Sequence, residues 1–242
     1  MWNTFIYDPL YNAFVFVLTN TPNHNIAIAI VVFTILVKTL LFPLYQKNIR
    51  SQQLIKLLEP ELKEIQKKYK SDRTELGKKT MELYKTNNIN PFTSILLLLI
   101  QLPILIALYF VFSRGLSGGG EHLYSFVQFP EQVNTMMFGL IEATKPFIPL
   151  GILAGITQAI QARVSFPKLP EQEVSKGEKK ELSFQDEFAK SMRVQVLYVL
   201  PVFIAVISIG FPSAITLYWV VANIYGTLQE LYVKKTLRPK TV

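Results

Sequence analysis

The chain has 242 residues, of which 50% are hydrophobic and 17% charged, with a formal net charge of +8 and no cysteine. Charge is sparse against the roughly 25% usual in soluble domains, the mean hydropathy is +0.28, and the apolar residues come in blocks, which points to a multi-span membrane protein. Without cysteine, disulfides, thiolate nucleophiles and thiol-linked lipids are excluded. The positive charge would suggest nucleic acid in a soluble protein. Here the basic residues flank apolar blocks, which indicates anionic lipid headgroups and topology control and no direct nucleic-acid recognition.

Residues 1–24 carry Phe5, Tyr11, Phe14 and Phe16 beside Asp8 and Asn12, a mixture expected of a helix lying in the outer membrane interface. No basic start and no small-residue cleavage site of a conventional signal peptide is evident. A sixth span over 7–19 is the competing expectation, although that run is short and holds Pro9.

Five spans are expected, at 25–44, 92–112, 146–162, 194–211 and 213–233, each near the ~17–25 residues that cross hydrocarbon. The third and fourth are short, which favours local bilayer thinning. Between spans one and two there are eleven Lys and Arg residues, between spans three and four seven, and in the tail at 234–242 four. The other side has only Arg114 and Lys145, in the loop at 113–145. The positive-inside rule therefore places the N-terminus outside and the C-terminus in the cytoplasm, with 45–91 and 163–193 cytoplasmic.

Lys38 is the most telling residue. It interrupts an apolar run from 26 to 41 that is otherwise broken only by Thr34 and Thr39. A cation at bilayer depth costs at least ~2.5–3.5 kcal/mol, so it faces protein, water or a functional partner. The alternative is that it lies near the helix end and snorkels to the interface.

The segment 45–91 reads as a soluble helical hairpin. Leu54, Leu58, Leu62, Ile65 and Tyr69 recur at helical spacing, Asp72 with Glu75 fits a capping box, and Leu76, Leu83 and Tyr84 begin a second helix. A hairpin this basic could rest on anionic lipid, touch a ribosome, or guard a cytoplasmic opening. The glycines at 118–120 read as an exterior linker and 168–187 as a polar, mobile stretch. His24 and His122 are isolated, so no metal is expected.

Polar residues recur inside the spans: Gln101 and Pro103 in the second, Thr157, Gln158 and Gln161 in the third, Ser208 in the fourth, and Thr216, Tyr218, Trp219 and Asn223 in the fifth. Ordinary interhelical hydrogen bonding accounts for some of them. Together with Lys38 they could line a wet cavity. Gly151 and Gly155, four apart, suggest close helix packing. No Asp or Glu is expected in the core of any span. No nucleophile–base pair, metalloprotease motif or nucleotide motif is present, so the protein is expected to be neither an enzyme nor cofactor-dependent.

These residues resemble the YidC-type (YidC/Oxa/Alb) membrane protein insertases. The resemblance is carried, in order, by Val37-Lys38-Thr39-Leu40-Leu41-Phe42-Pro43-Leu44, Leu58-Glu59-Pro60-Glu61-Leu62, Met81-Glu82-Leu83-Tyr84-Lys85, Asn90-Pro91, Leu99-Ile100-Gln101-Leu102-Pro103-Ile104 with Ala107-Leu108-Tyr109, and Pro212-Ser213-Ala214 continuing to Leu217-Tyr218-Trp219-Val220-Val221-Ala222-Asn223. It implies an all-α membrane protein with five transmembrane helices around a hydrophilic groove open to cytoplasm and lipid, and a cytoplasmic antiparallel hairpin. The positive residue that marks the groove is matched by Lys38, where the family usually has arginine; lysine keeps the charge but loses the bidentate fork. Trp219 matches the family's tryptophan, and Gln158 or Gln161 supplies the polar contribution of span three. The implied form is the short bacterial one without the large exterior domain, in the plasma membrane. It would act as a monomer on nascent membrane proteins, with the Sec translocon and the ribosome as further partners. A small-solute channel and an assembly scaffold are the rival functions. No inverted repeat supports the channel.

Overall fold

The computed structural model describes residues 3–70, 72–90, 93–113, 123–165, 191 and 194–237. The glycine run at 118–120, His122, Arg114, the stretch 168–187 and the tail beyond 237 lie outside them. The described residues are mainly helical: α1 (Asp8–Thr19), α2 (Ile26–Leu40), α3 (Phe42–Leu57), α4 (Glu59–Lys68), α5 (Arg73–Thr86), α6 (Thr93–Ser113), α7 (Ile148–Ser165), α8 (Leu200–Ile207) and α9 (Ser213–Leu237). Among them, the departure from an all-helical chain is a small ribbon within 113–145, read from sequence as a loop. β1 (Met136–Met137) and β2 (Ile141–Glu142) pair antiparallel, with Met137 opposite Ile141. The turn works because Phe138 and Gly139 both adopt positive φ, 54° and 72°, the twist a tight hairpin connection needs.

Prolines punctuate the helices. The helix breaks at Leu41, and α3 restarts with Pro43 in its first turn, where a missing N–H leaves no intrahelical bond unmade. Pro60 does the same for α4. Among the described residues no single helix is long and apolar enough to cross a membrane; the pair Ile26–Leu40 and Phe42–Leu57 qualifies together, across the break.

The chain divides into two compact units. One comprises described residues within 1–39 and 104–229, the other those within 40–103 and 230–242.

In the first unit, Phe14 of α1 meets Phe33 of α2 edge-on at 5.7 Å and Phe112 of α6 at 5.2 Å. The face of α1 that holds Tyr11, Phe14 and Leu18 is therefore protein core, while Phe5 and Phe16 face outward. Helices α7 and α8 approach closely because two glycines allow it. A Cβ at Gly151 would lie 3.0 Å from Ser208 Cβ, and one at Gly155 would lie 2.9 Å from both Ala205 Cβ and the Pro201 carbonyl oxygen. The segment 123–145 is stitched to α1 and to the starts of α2 and α9. Asn12 Oδ1 accepts from the Tyr124 amide at 2.7 Å, and Ile26 N donates to the Asn134 carbonyl at 3.1 Å. At the start of α9, Ser213 gives both its N–H (3.0 Å) and its hydroxyl (2.6 Å) to the Lys145 carbonyl, and Ala214 N donates to Ala143. These bonds occupy amides that a helix start otherwise leaves unpaired.

In the second unit, α4 and α5 form a helical pair joined by a short turn. Asp72 caps α5, its Oδ1 accepting from the amides of Thr74 (2.9 Å) and Glu75 (3.0 Å). No side chain of either helix is buried. Ion pairs line the surface: Lys63–Glu59 at 2.9 Å, Lys78–Glu75 at 3.4 Å and Lys79–Glu82 at 2.8 Å.

Candidate functional site

The first unit buries several polar groups beside its apolar core and exposes many large apolar side chains. Thr34 and Lys38 on α2, Thr157 on α7, Ser208, and Ser213, Thr216 and Asn223 on α9 are all buried. Ile28, Val32, Ile35 and Leu36 of α2, Ile152 and Ile156 of α7, and Val202 and Phe203 of α8 point out. In water this pattern would be unstable, because exposed apolar area is penalised while buried polar groups lose hydration. In lipid the outer face is already in its preferred medium, and polar groups must find partners within the protein.

Lys38 follows from that logic. It lies in the last turn of α2, and its side chain is only 7% exposed. Ile28, Val32, Ile35 and Leu36 of α2 are exposed, and the residue step of the helix carries Thr34 and Lys38, four apart, to the inner side. The next residue, Thr39, shares a 2.9 Å hydrogen bond with Tyr225 of α9.

Helix α9 is the centre of the polar set. Asn223, 7% exposed, donates from Nδ2 to Thr157 Oγ1 at 3.2 Å and to the Ala154 carbonyl at 3.4 Å. Thr157 in turn donates to Ala154. One turn further, Gln161 of α7 lies against α9 at Gly226. Trp219 is half-buried and stacks edge-on with Phe211 at 5.8 Å, and Phe211 meets Tyr109 at 5.7 Å. Tyr218 is buried beside it in the chain. Gln158 is half-buried on α7, three residues before Gln161.

The structure thus brings Asn223 and Thr157 into direct contact and sets Gln161 one turn along the same α7–α9 seam. Lys38, Gln158, Tyr218 and Trp219 lie in the same unit. Gln101 does not: it belongs to the second unit, where Tyr45 Oη donates to its Oε1 at 3.2 Å. One carboxylate lies near the end of an expected span, outside its core. Glu230 falls within 213–233, is 6% exposed, and pairs with Lys234 at 2.8 Å. An acid four residues before a base on one helix face lets the two charges meet. Tyr225 and Gly226 were not singled out from sequence. The signal that marks them is spacing: Asn223 and Gly226 are three apart on one helix, as Gln158 and Gln161 are on the other.

A helical body with its polar groups turned inward and an apolar exterior defines a membrane protein. Comparison with known proteins narrows this further. The model of the 60Kd inner membrane protein family matches residues 17–240. The chain belongs to that family, the YidC-type insertases. It is 33% identical over 221 residues to a membrane protein insertase YidC of Clostridium tetani, covering 90% of this chain and 86% of that protein. It is 30% identical to one of Fusobacterium nucleatum, covering 96% and 98%. A relative of the same name in Magnetococcus marinus is 30% identical over 98% of this chain, but the chain spans only 36% of that protein's length.

Proposed function

We propose that this protein is a membrane protein insertase that moves short hydrophilic segments of nascent membrane proteins across the bilayer and releases their apolar helices into lipid, without ATP. The observation that carries this reading is the buried polar interior of the first unit, with Lys38 inside it, in a chain of the insertase family. In this reading five spans cross the membrane with the N-terminus outside. The polar interior is a groove open to cytoplasm and lipid, and the stitched segment 123–145 closes it outside.

The physics is direct. A hydrophilic tail faces about 30 Å of hydrocarbon. A wet groove replaces part of that path, and Lys38 attracts acidic residues where water is limited and Coulomb forces are strong. Asn223, Gln158, Gln161 and Trp219 supply hydrogen-bonding groups along the way. The client's apolar helix then gains about 25 cal/mol per Å² on entering lipid, which makes the process downhill. Basic residues at 45–91 suit anionic lipid headgroups, with the ribosome and the Sec translocon as candidate neighbours.

The test uses a single-span client with an acidic N-terminal tail and the protein in liposomes. Lys38→Arg keeps insertion. Lys38→Ala lowers it about tenfold, the equivalent of ~1.4 kcal/mol, and Lys38→Glu lowers it further by repulsion. If Lys38→Glu inserts as well as the parent, Lys38 is a snorkelling anchor and the groove reading is wrong. Reporters fused after residues 70, 180 and 240 read cytoplasm and one after 125 reads exterior; a cytoplasmic signal at 125 rejects the five-span topology.

A further inference from the structure

We propose that Gly226 is a positioning residue that seats the Gln161 carboxamide as an uncharged hydrogen-bonding station for the polar part of a client, a step that rests on the insertase reading. A Cβ built on Gly226 would lie 2.5 Å from Gln161 Nε2 and 3.3 Å from its Cδ. The amide therefore lies against the α9 backbone, in space that any side chain at 226 would take. Glycine weakens a helix interior relative to alanine. Its place well inside a 25-residue helix is explained by the group it admits.

The seam around it is already polar. Thr157 and Asn223 are hydrogen-bonded one turn away, and Gln161 follows Thr157 by four residues, on the same face of α7. Among the described residues no hydrogen bond engages the Gln161 carboxamide, which is half-buried. It has two donors and an acceptor to offer.

The chemistry differs from that of Lys38. An ammonium favours acidic groups by charge, whereas a carboxamide both donates and accepts and so pairs with backbone peptide groups and with Ser or Asn side chains. Peptide groups entering a bilayer have no water to pair with, so one fixed amide serves every tail whatever its charge. Gln161, seated by Gly226, handles the uncharged part of the client that Lys38 cannot select.

The experiment compares the parent, Gly226→Ala, Gln161→Ala and the double variant in liposomes, with a client whose tail is rich in Ser and Asn. Each single variant lowers insertion about threefold, the size of one hydrogen bond at bilayer depth, and the double variant falls no further. The group displaced by alanine is the far end of a flexible side chain, so Gly226→Ala leaves the melting temperature unchanged or raised, alanine being the better helix former. A glycine with a purely structural role would instead lose melting temperature and the insertion of every client together, and that result overturns the proposal. So does parental insertion by Gly226→Ala or by Gln161→Ala. The side-chain amide resonance of Gln161 decides the seat independently of activity: it shifts in Gly226→Ala, and an unshifted signal overturns the seat. A parent that inserts no client overturns the insertase reading instead, and the amide signal still judges the seat.

Discussion

Gly155 brings α7 close enough to α8 that a single added carbon would meet the Pro201 carbonyl, whereas no side chain of α4 or α5 is buried at all. The first region is held by close contact and by hydrogen bonds between buried groups. The second is held by a thin apolar stripe, a cap and exposed ion pairs; even Leu57, at the end of α3, is 74% exposed. Close packing leaves no room for change, while a helical pair without a buried core can shift without much loss. The polar groups of the first unit thus have a fixed geometry, whereas the helical pair can adjust.

The comparison breaks most severely at Gly155. Gly155→Val forces a branched side chain against Ala205 and Pro201, and should destabilise by about 1–3 kcal/mol, seen as a lower melting temperature in detergent. Unchanged melting would mean that the α7–α8 seam is looser than the distances indicate. Amide exchange sharpens the contrast without mutation. Backbone amides of α4 and α5 should exchange at least about tenfold faster than those of α7, a difference of ~1.4 kcal/mol in opening free energy. Equal protection would remove the distinction between the regions.

Smaller effects belong to the helical pair. Asp72→Ala removes the cap that accepts from Thr74 and Glu75 and should cost about 1 kcal/mol, confined to faster exchange in the first turn of α5. Lys79→Ala should leave the melting temperature where it was, because an exposed ion pair is screened by water and salt. The pair still has a pH signature. The hydrogen bond from Lys79 holds the Glu82 carboxyl below its usual range and raises the Lys79 ammonium above its own. The carboxyl's contribution is present above the unfolded carboxylate value and is lost as pH falls through the lowered value. The ammonium's is present below the ordinary lysine value and is lost as pH rises through the raised one. Between those limits the part of α5 around Lys79 and Glu82 should show no pH-dependent exchange beyond the intrinsic rate.

Much of this was legible in the chain itself. Blocks of apolar residues broken by Lys38, and 22 basic residues set against two, are properties of composition and order. The cap at Asp72 was local as well, because a side chain reaching its own next turn acts within a few residues. The restarts at Pro43 and Pro60 were not read there: 25–44 reads as one span and the stripe from Leu54 to Tyr69 as one helix, and the structure divides them at Leu41 and Leu58. Gly151 and Gly155 announced a close approach, but not its partner.

What only the tertiary structure decided was which groups meet. Asn223 finds Thr157 across 66 residues of chain, Thr39 finds Tyr225 across 186, and α1 buries Phe14 between Phe33 and Phe112. Gln161 is distinguished from Gln158 because Gly226 lies opposite it, and Gln101 is engaged by Tyr45 in the other unit. A polar residue's type and spacing tell which face of its own helix it occupies. Its partner depends on how distant helices pack, and that is set by the sum of many apolar contacts spread along the whole chain.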